Sequence, residues 1–487
     1  MKPISAMNSL SGLDAAFLYM ETPTAPMNVV GTLVLDPSTA RAGWSYERIL
    51  RLVGERVPRI PPLRRRLMSI PFELDHPVWV EDPDFSLGDH VYRVNLPAPG
   101  SDRILADFVA EVGARRLDRS RPLWEIWFVE GLSAGRAALV VKLHHATTDG
   151  MSGGELILQL LDLSPDPVAE EAPADAWKPD AVPSQTALLR RAAIGLTRRP
   201  AGFARLLAAT GRSAAGLARA SLSPEGFPSA PALPLTAPRT RFNGAISSRR
   251  TVAYGETQLA DLKFIKRAFG TTVNDVVLAA CSLSLRSYLQ AHGDLPDAPL
   301  VAAVPISVRT PEQRGTYGNQ VSSLFVHLPV HLEDPLDQLL AIAGETRQAK
   351  RLHAAVGGNM LGDWLQLASP AVFSRAAQLY SRWKLANRHR PLHNLVISNC
   401  PGPPVPLYAA GARVTAIYPH GPVLEGAGVN ISVVSYVDRV DFGVIACRES
   451  VPDVWDLALG FGAAVGDLVK IALEDATEVR VPKPMSA

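Results

Sequence analysis

Cysteine is scarce: three residues in 487 (Cys281, Cys400 and Cys447), none in a Cys-x-x-Cys pair. That excludes a disulfide scaffold and a cysteine-based zinc site, and reads as reduced thiols in a cytosolic chain. A charge excess is missing too. Lys and Arg number 49 against 47 Asp and Glu, a net charge of +2 and too even a balance for bulk binding of nucleic acid. No run approaches the ~18 uncharged apolar residues of a spanning helix. The first 19 residues lack a basic start followed by an apolar run, and Asp14 breaks their most apolar part. No signal peptide is expected. What is present is apolar bulk: 47% hydrophobic residues, in a chain long enough for more than one core.

Proline divides the chain. Residues 163–186 are acidic and rich in Pro and Ala, and residues 221–239 carry Pro224, Pro228, Pro231, Pro234 and Pro238. Neither stretch suits a helix interior or a central strand. The organisation expected is an N-terminal lobe over 1–162, a connecting segment over 163–239 and a C-terminal lobe over 240–487. The connecting segment has no acidic residue between Asp180 and Glu225. Arg191, Arg198, Arg205, Arg212 and Arg219 recur at every seventh position, with Leu189, Leu196, Phe203, Leu207 and Leu217 on the other side of the helical projection. A heptad spacing drifts only about 20° per repeat, so the arginines form one slowly turning stripe. Pro200 is expected to interrupt that helix. The stripe has two readings: a surface for an anionic bilayer, or a crossover helix packed on its own protein with its arginines in water.

Both halves mix the two periodicities. Strands are expected at 31–35, 137–145, 300–304, 321–330, 394–398, 429–436 and 439–447, and helices at 46–55, 105–117, 154–161, 259–268 and 272–290. Without strict alternation, this argues for α/β layers with a mixed sheet in each half.

The densest polar cluster is His144-His145-Ala146-Thr147-Thr148-Asp149-Gly150, at the exit of the 137–145 strand. Strand parity puts His145 on the face of Ala137, Leu139, Val141 and Leu143, with Lys142 and His144 on the other. An enclosed imidazole with one nitrogen fixed by a hydrogen bond suits a general base. Neighbouring strand residues point apart, so the two histidines do not share a metal ion. Gly150-Met-Ser152-Gly-Gly154 matches the GxSxG pattern of serine hydrolases, but that elbow needs its serine on a tight turn directly after a strand. Asp441-Phe-Gly443, without an HRD sequence or a Gly-rich nucleotide loop, does not point to a kinase. Thr272-Val-Asn274-Asp275 reads as a capped helix start. Pro122-Leu123-Trp124 reads as core packing.

HHxxxDG is the signature of a superfamily of CoA-dependent acyltransferases. Other segments resemble the bacterial wax ester synthase/diacylglycerol acyltransferase family: Leu10–Phe17, Leu117–Glu125, Thr272–Val277, Gly318-Asn319 and Ser398–Pro403. In order, they span residues 10 to about 445. The resemblance implies two chloramphenicol acetyltransferase-like lobes joined by a long helical linker, with the active site in a tunnel between them. It implies that His145 deprotonates an alcohol as it attacks an acyl-CoA thioester. His144 and Gly150 complete the motif, and Asp149 is structural, paired with an arginine for which Arg59 and Arg64 are the candidates. Asn274 and Asp275 would support the catalytic histidine. Pro122, Leu123, Trp124, Ser398, Asn399, Pro401 and Gly402 would shape the site.

The expected activity is acyl transfer from acyl-CoA to diacylglycerol, a long-chain alcohol, or both, with no cofactor and no metal. Acyl-CoA is itself the substrate. Location would be cytoplasmic, with contact to the inner face of the membrane through the arginine stripe. Three rivals stand: a relative acting on another hydroxyl, a hydrolase using Ser152, and a lipid-surface binding protein without catalysis.

Overall fold

In the computed structural model, residues 8–41, 43–148, 150–166, 179, 181–221, 232, 235–309, 318–356 and 360–478 are described. The N-terminal half begins with β1 (Asn8–Ser9), α1 (Gly12–Met20), β2 (Asn28–Asp36), α2 (Tyr46–Arg56), β3 (Arg65–Met68) and β4 (Val78–Glu81). It continues through β5 (Val91–Asn95), α3 (Asp102–Ala114), β6 (Trp124–Glu130), β7 (Ala137–His144) and α4 (Gly150–Leu160). The connecting segment holds α5 (Gln185–Ser221). The C-terminal half opens with β8 (Arg250–Gln258), α6 (Leu259–Ala268), α7 (Val273–Ala291), β9 (Leu300–Ser307) and β10 (Val321–Leu328). Then come α8 (Pro335–Val356), α9 (Met360–Leu367), α10 (Pro370–Arg382) and β11 (Leu395–Cys400). The chain closes with β12 (Tyr408–Ala409), β13 (Ala412–His420), β14 (Val429–Tyr436), β15 (Arg439–Cys447) and α11 (Val454–Glu478).

Two six-stranded mixed sheets result, in the orders β12-β13-β2-β7-β6-β5 and β10-β9-β11-β14-β15-β8, as the α/β reading required. The halves are less separate than the proline-rich boundaries implied. β13 leaves the C-terminal half and pairs antiparallel with β2, from Arg413 opposite Asp36 to His420 opposite Val30. One buried cluster joins Val30, Val34, Leu105 and Val109 to Val252, Tyr254, Ala416 and Ile445. Sheet and core therefore cross the division at 163–239.

The connecting segment also departs from expectation. α5 runs unbroken through Pro200. The acceptor that Pro200 leaves unpaired is the carbonyl of Leu196, an exposed residue, where water can replace the lost bond. Leu188 and Ala192 are buried against Ile70, Val78 and Val80, whereas Leu196, Phe203 and Leu207 are exposed. Three residues of the side named as apolar from the sequence thus face outward, Leu189 is half-buried, and the side chain of Leu217 lies outside the described residues. Arg191 donates to Ser9 Oγ, and Arg199 reaches the Leu74 carbonyl at 3.0 Å. Arg212 is exposed, and the side chains of Arg198, Arg205 and Arg219 lie outside the described residues. The first turns of α5 are a crossover helix packed on its own protein. No single helix among the described residues is long and apolar enough to cross a membrane.

Asp441 ties the two sheets together. It sits in β15, fully buried, and its Oδ2 accepts from the Ile417 N–H of β13 at 2.7 Å. Burial pushes its carboxyl up to about 7, outweighing the Ile417 bond and the Arg439 charge. The folded state therefore holds this proton more tightly than the unfolded chain, whose aspartates titrate near 4. Through this group stability should fall as pH rises from about 4 to 7, by up to about 4 kcal/mol, against the opposite contributions of His393 and His420, which burial depresses to about 4. Asp441→Asn, which mimics the neutral acid, should remove that contribution, so the variant's stability relative to the parent should rise with pH across the same range in urea unfolding.

Candidate active site

β7 lies between β2 and β6, with Asn28 opposite His144 and Trp124 opposite Leu143. All eight of its residues are buried, Leu139, Val141 and Leu143 on one face and Ala138 and Val140 on the other. Parity therefore does not single out an apolar face. The structure separates the two histidines by their partners.

His144, the last strand residue, is completely enclosed. Its Nδ1 accepts from the Ala146 N–H at 3.0 Å, and its Nε2 lies 3.5 Å from Glu21 Oε1. Arg119 donates to Glu21 Oε2 through Nε at 3.1 Å and Nη2 at 2.6 Å. Burial depresses the His144 pKa against the pull of Glu21. Burial would also raise Glu21, but His144 and Arg119 hold it at about 2. The forked Arg119 contact adds to the pull of His144 in keeping Glu21 ionised. His144 anchors the strand exit.

His145 is only partly buried and turns out of the strand. Its backbone N–H still donates to Met27 O at 2.7 Å, one rung past the end of the ladder. The ring stacks on Phe17 of α1, centroids 3.9 Å apart and planes 15° from parallel. Its Nδ1 lies 3.1 Å from Asn319 Oδ1. The Asn319 amide nitrogen donates to Asp14 Oδ1 at 2.6 Å and to the His145 carbonyl at 2.7 Å. Both are acceptors only, so the amide oxygen must be the atom that faces the ring. An oxygen there needs a donor. Nδ1 thus carries the hydrogen, and Nε2 keeps the lone pair.

Asp14 is held for this task from both sides. As the third residue of α1 it closes a capping box with Ser11, whose Oγ donates to Asp14 Oδ2 at 2.7 Å. Its Oδ1 takes the Asn319 backbone N–H at 2.8 Å as well as the amide. Burial raises the Asp14 pKa, opposed by these same bonds from Asn319 and Ser11. Asp14, Thr147 and Gly318 line a cavity of about 310 Å³, walled further by Ser9, Pro62, Arg65 and Trp79. The position of α1 depends on Gly12: a Cβ there would lie 2.2 Å from the Gln366 backbone nitrogen. Gly12→Ala should force α9 off α1, costing about 1–3 kcal/mol in denaturant unfolding and lowering turnover with it.

The remaining expected residues divide between this cluster and its surroundings. Asp149 lies outside the described residues; Gly150 begins α4. Arg64 donates to Pro58 O and lies 3.4 Å from Glu81, while Arg59 ends a short 3-10 turn. Pro122, Leu123 and Trp124 are buried beneath the motif: Leu123 O accepts the His144 N–H at 3.0 Å, and the Trp124 indole donates to Leu63 O at 2.6 Å. Asn399 donates to Asn274 Oδ1 at 3.2 Å, joining the end of β11 to the start of α7. α4 packs on β11, so this pair stands near the chain that follows the motif. Asp275 instead caps α7 with Thr272 and accepts from Thr346 at 2.7 Å. Ser398 lies 3.8 Å from Cys400 and Pro401 is exposed. A Cβ at Gly402 would fall 2.0 Å from Ser435 O, so only glycine fits there. Ser152 lies inside the first turn of α4, with residues 145–149 between it and β7, so the strand–turn geometry of a nucleophile elbow is absent.

The sequence profile of the wax ester synthase/diacylglycerol acyltransferase catalytic domain matches residues 10–277, and that of the family's C-terminal domain matches 317–468. The chain belongs to this family. It is an acyltransferase of the wax ester synthase/diacylglycerol acyltransferase type. A Mycobacterium tuberculosis protein with a provisional diacylglycerol O-acyltransferase name is 39% identical over 96% of this chain and 92% of its own length. A second from the same organism, similarly named, is 38% identical over 91% and 96%. Among solved structures, the wax ester synthase/diacylglycerol acyltransferase of Marinobacter aquaeolei is 26% identical, with a TM-score of 0.65 over 96% of this chain and 100% of that one. A trichothecene 15-O-acetyltransferase of Fusarium sporotrichioides shares the fold at 11% identity, with a TM-score of 0.58 over 94% of each chain.

Within this wax ester synthase/diacylglycerol acyltransferase frame, three residues of the site carried no role in the sequence: Asp14, Phe17 and Asn319. All three fall in segments that resemble the family. Ser11-x-x-Asp14 is legible as a capping box. Nothing local announces that its carboxylate also holds an amide 305 residues away.

Proposed function

We propose that this acyltransferase moves a long-chain acyl group from acyl-CoA to the free hydroxyl of diacylglycerol, or to a long-chain alcohol, with His145 Nε2 as general base. The observation that carries this reading is the Asp14–Asn319–His145 chain of hydrogen bonds, which leaves the lone pair on Nε2. Nε2 takes the proton of the acceptor hydroxyl as its oxygen bonds to the thioester carbonyl carbon. The tetrahedral oxyanion then collapses, the carbon–sulfur bond breaks, and the proton on Nε2 passes to the departing CoA thiolate. The ring returns to its starting state, and an ester and CoA leave. No cofactor takes part. The Asn319 amide oxygen stabilises the transient imidazolium through Nδ1–H, as the third member of a nucleophile–base–orienter set does elsewhere.

Both acceptors dissolve in bilayers, so the enzyme works in the cytoplasm against the inner face of the membrane. The deciding assay incubates purified protein with palmitoyl-CoA and either diolein or hexadecanol, following free CoA and lipid product together. Triacylglycerol or wax ester formed in step with CoA supports the reading. CoA released without any ester product would sink it and leave hydrolysis.

A further inference from the structure

From Trp364 to Leu424 the chain has no Asp or Glu, yet Arg375, Arg382, Lys384, Arg388 and Arg390 fall inside this stretch. All five are exposed, and none makes an ion pair among the described residues. The stretch contains α10, whose two sides differ. Inward, Phe373 packs with Leu10, Ala15 and Leu18, its ring 5.9 Å from that of Tyr19 on α1. Outward, Val372 is 68% exposed, Leu379 40% and Trp383, the residue capping the helix, 56%. At 100° per residue, positions 372, 379 and 383 project within about 40° of one another. They form one apolar stripe, with Arg375 and Arg382 along its flank.

We infer that the outer face of α10, with the turn after it, is the surface by which this enzyme docks on an anionic bilayer. An amphipathic helix in the interface presents this combination: an apolar stripe, a tryptophan at headgroup depth, and cations that extend towards phosphates. The charge argues for lipid over a second copy of the chain. A two-fold pairing of this face would set its unpaired arginines against their own counterparts. The docking face is also close to the chemistry, since α10 packs on α1 and α1 holds Phe17 against the His145 ring. It differs from the arginine stripe of α5, where Arg191 is already bonded to Ser9. The docking role rests on the lipid-acceptor reading for its purpose, but not for its measurement.

The test is flotation of the full chain with vesicles of phosphatidylcholine, alone or mixed in equal parts with phosphatidylglycerol. Binding should need the anionic lipid and weaken with salt. Arg375→Gln, Arg382→Gln and Lys384→Gln should each weaken it about fivefold, and together roughly 100-fold. Val372→Ser, Leu379→Ser and Trp383→Ser combined should weaken it roughly tenfold or more. Melting temperature and transfer to a water-miscible alcohol should stay at parental values for both sets. Vesicle binding that ignores phosphatidylglycerol, or that survives both sets, overturns the inference. So does a concentration-dependent dimer abolished by the same changes, which would make this face a contact between copies. Vesicle binding involves no turnover. A protein that binds as described but transfers no acyl group to any alcohol would refute the proposed activity and leave the docking face standing.

Discussion

His145→Ala is expected to lower kcat by about 10²–10⁴-fold, the range that general-base assistance commonly supplies. The loss should fall on kcat, with KM for palmitoyl-CoA nearly unchanged, because the ring acts on the hydroxyl proton and not on the thioester's bulk. Stability should move less than activity. The side chain is only partly buried, and among the described residues its ring stacks on Phe17 and meets the buried Asn319 amide oxygen. His144→Ala makes the useful contrast. It removes a fully enclosed ring and leaves Glu21 and the Ala146 N–H short of a partner, so the melting temperature should drop along with activity. A His145→Ala enzyme that turns over at the parental rate would refute the assignment of the base.

Asn319→Ala is expected to cost about 10²-fold or more in kcat. Without the amide, Nδ1 loses the acceptor that fixes its hydrogen, and part of the ring population puts the proton on Nε2, where it blocks the reaction. The comparable loss of an orienting carboxylate in serine proteases reaches about 10⁴-fold. Asn319 is itself buried and also holds Asp14, so the substitution will cost stability as well. The discriminating measurement is therefore a double-mutant cycle. If Asn319 acts through His145, then adding Asn319→Ala to a His145→Ala enzyme should lower kcat no further. If the two losses multiply, Asn319 serves only the packing of the junction.

Much of this was legible in the residues. The strands at 429–436 and 439–447 and the helix at 259–268 were readable to the residue, because each is built from its own period and its own boundary residues. α7 differs from the reading by a single position at each end, with Thr272 as the expected cap. α4 begins at Gly150, four residues before its apolar spacing does, since glycine and serine carry no periodic signal there. α5 shows the opposite failure. Its heptad of arginines was plain, but the buried side is that of Leu188 and Ala192, because a helix turns towards whatever surface its neighbours offer.

By itself the sequence determined the family, the two mixed sheets and the motif that ends β7, all of which rest on local pattern and on ordered segments. Only the tertiary structure shows which nitrogen of His145 carries the hydrogen. That outcome depends on an amide 174 residues from His145, oriented by a carboxylate 305 residues from that amide. Hydrogen-bond direction is a property of three groups meeting in space, and no spacing along one chain can encode it.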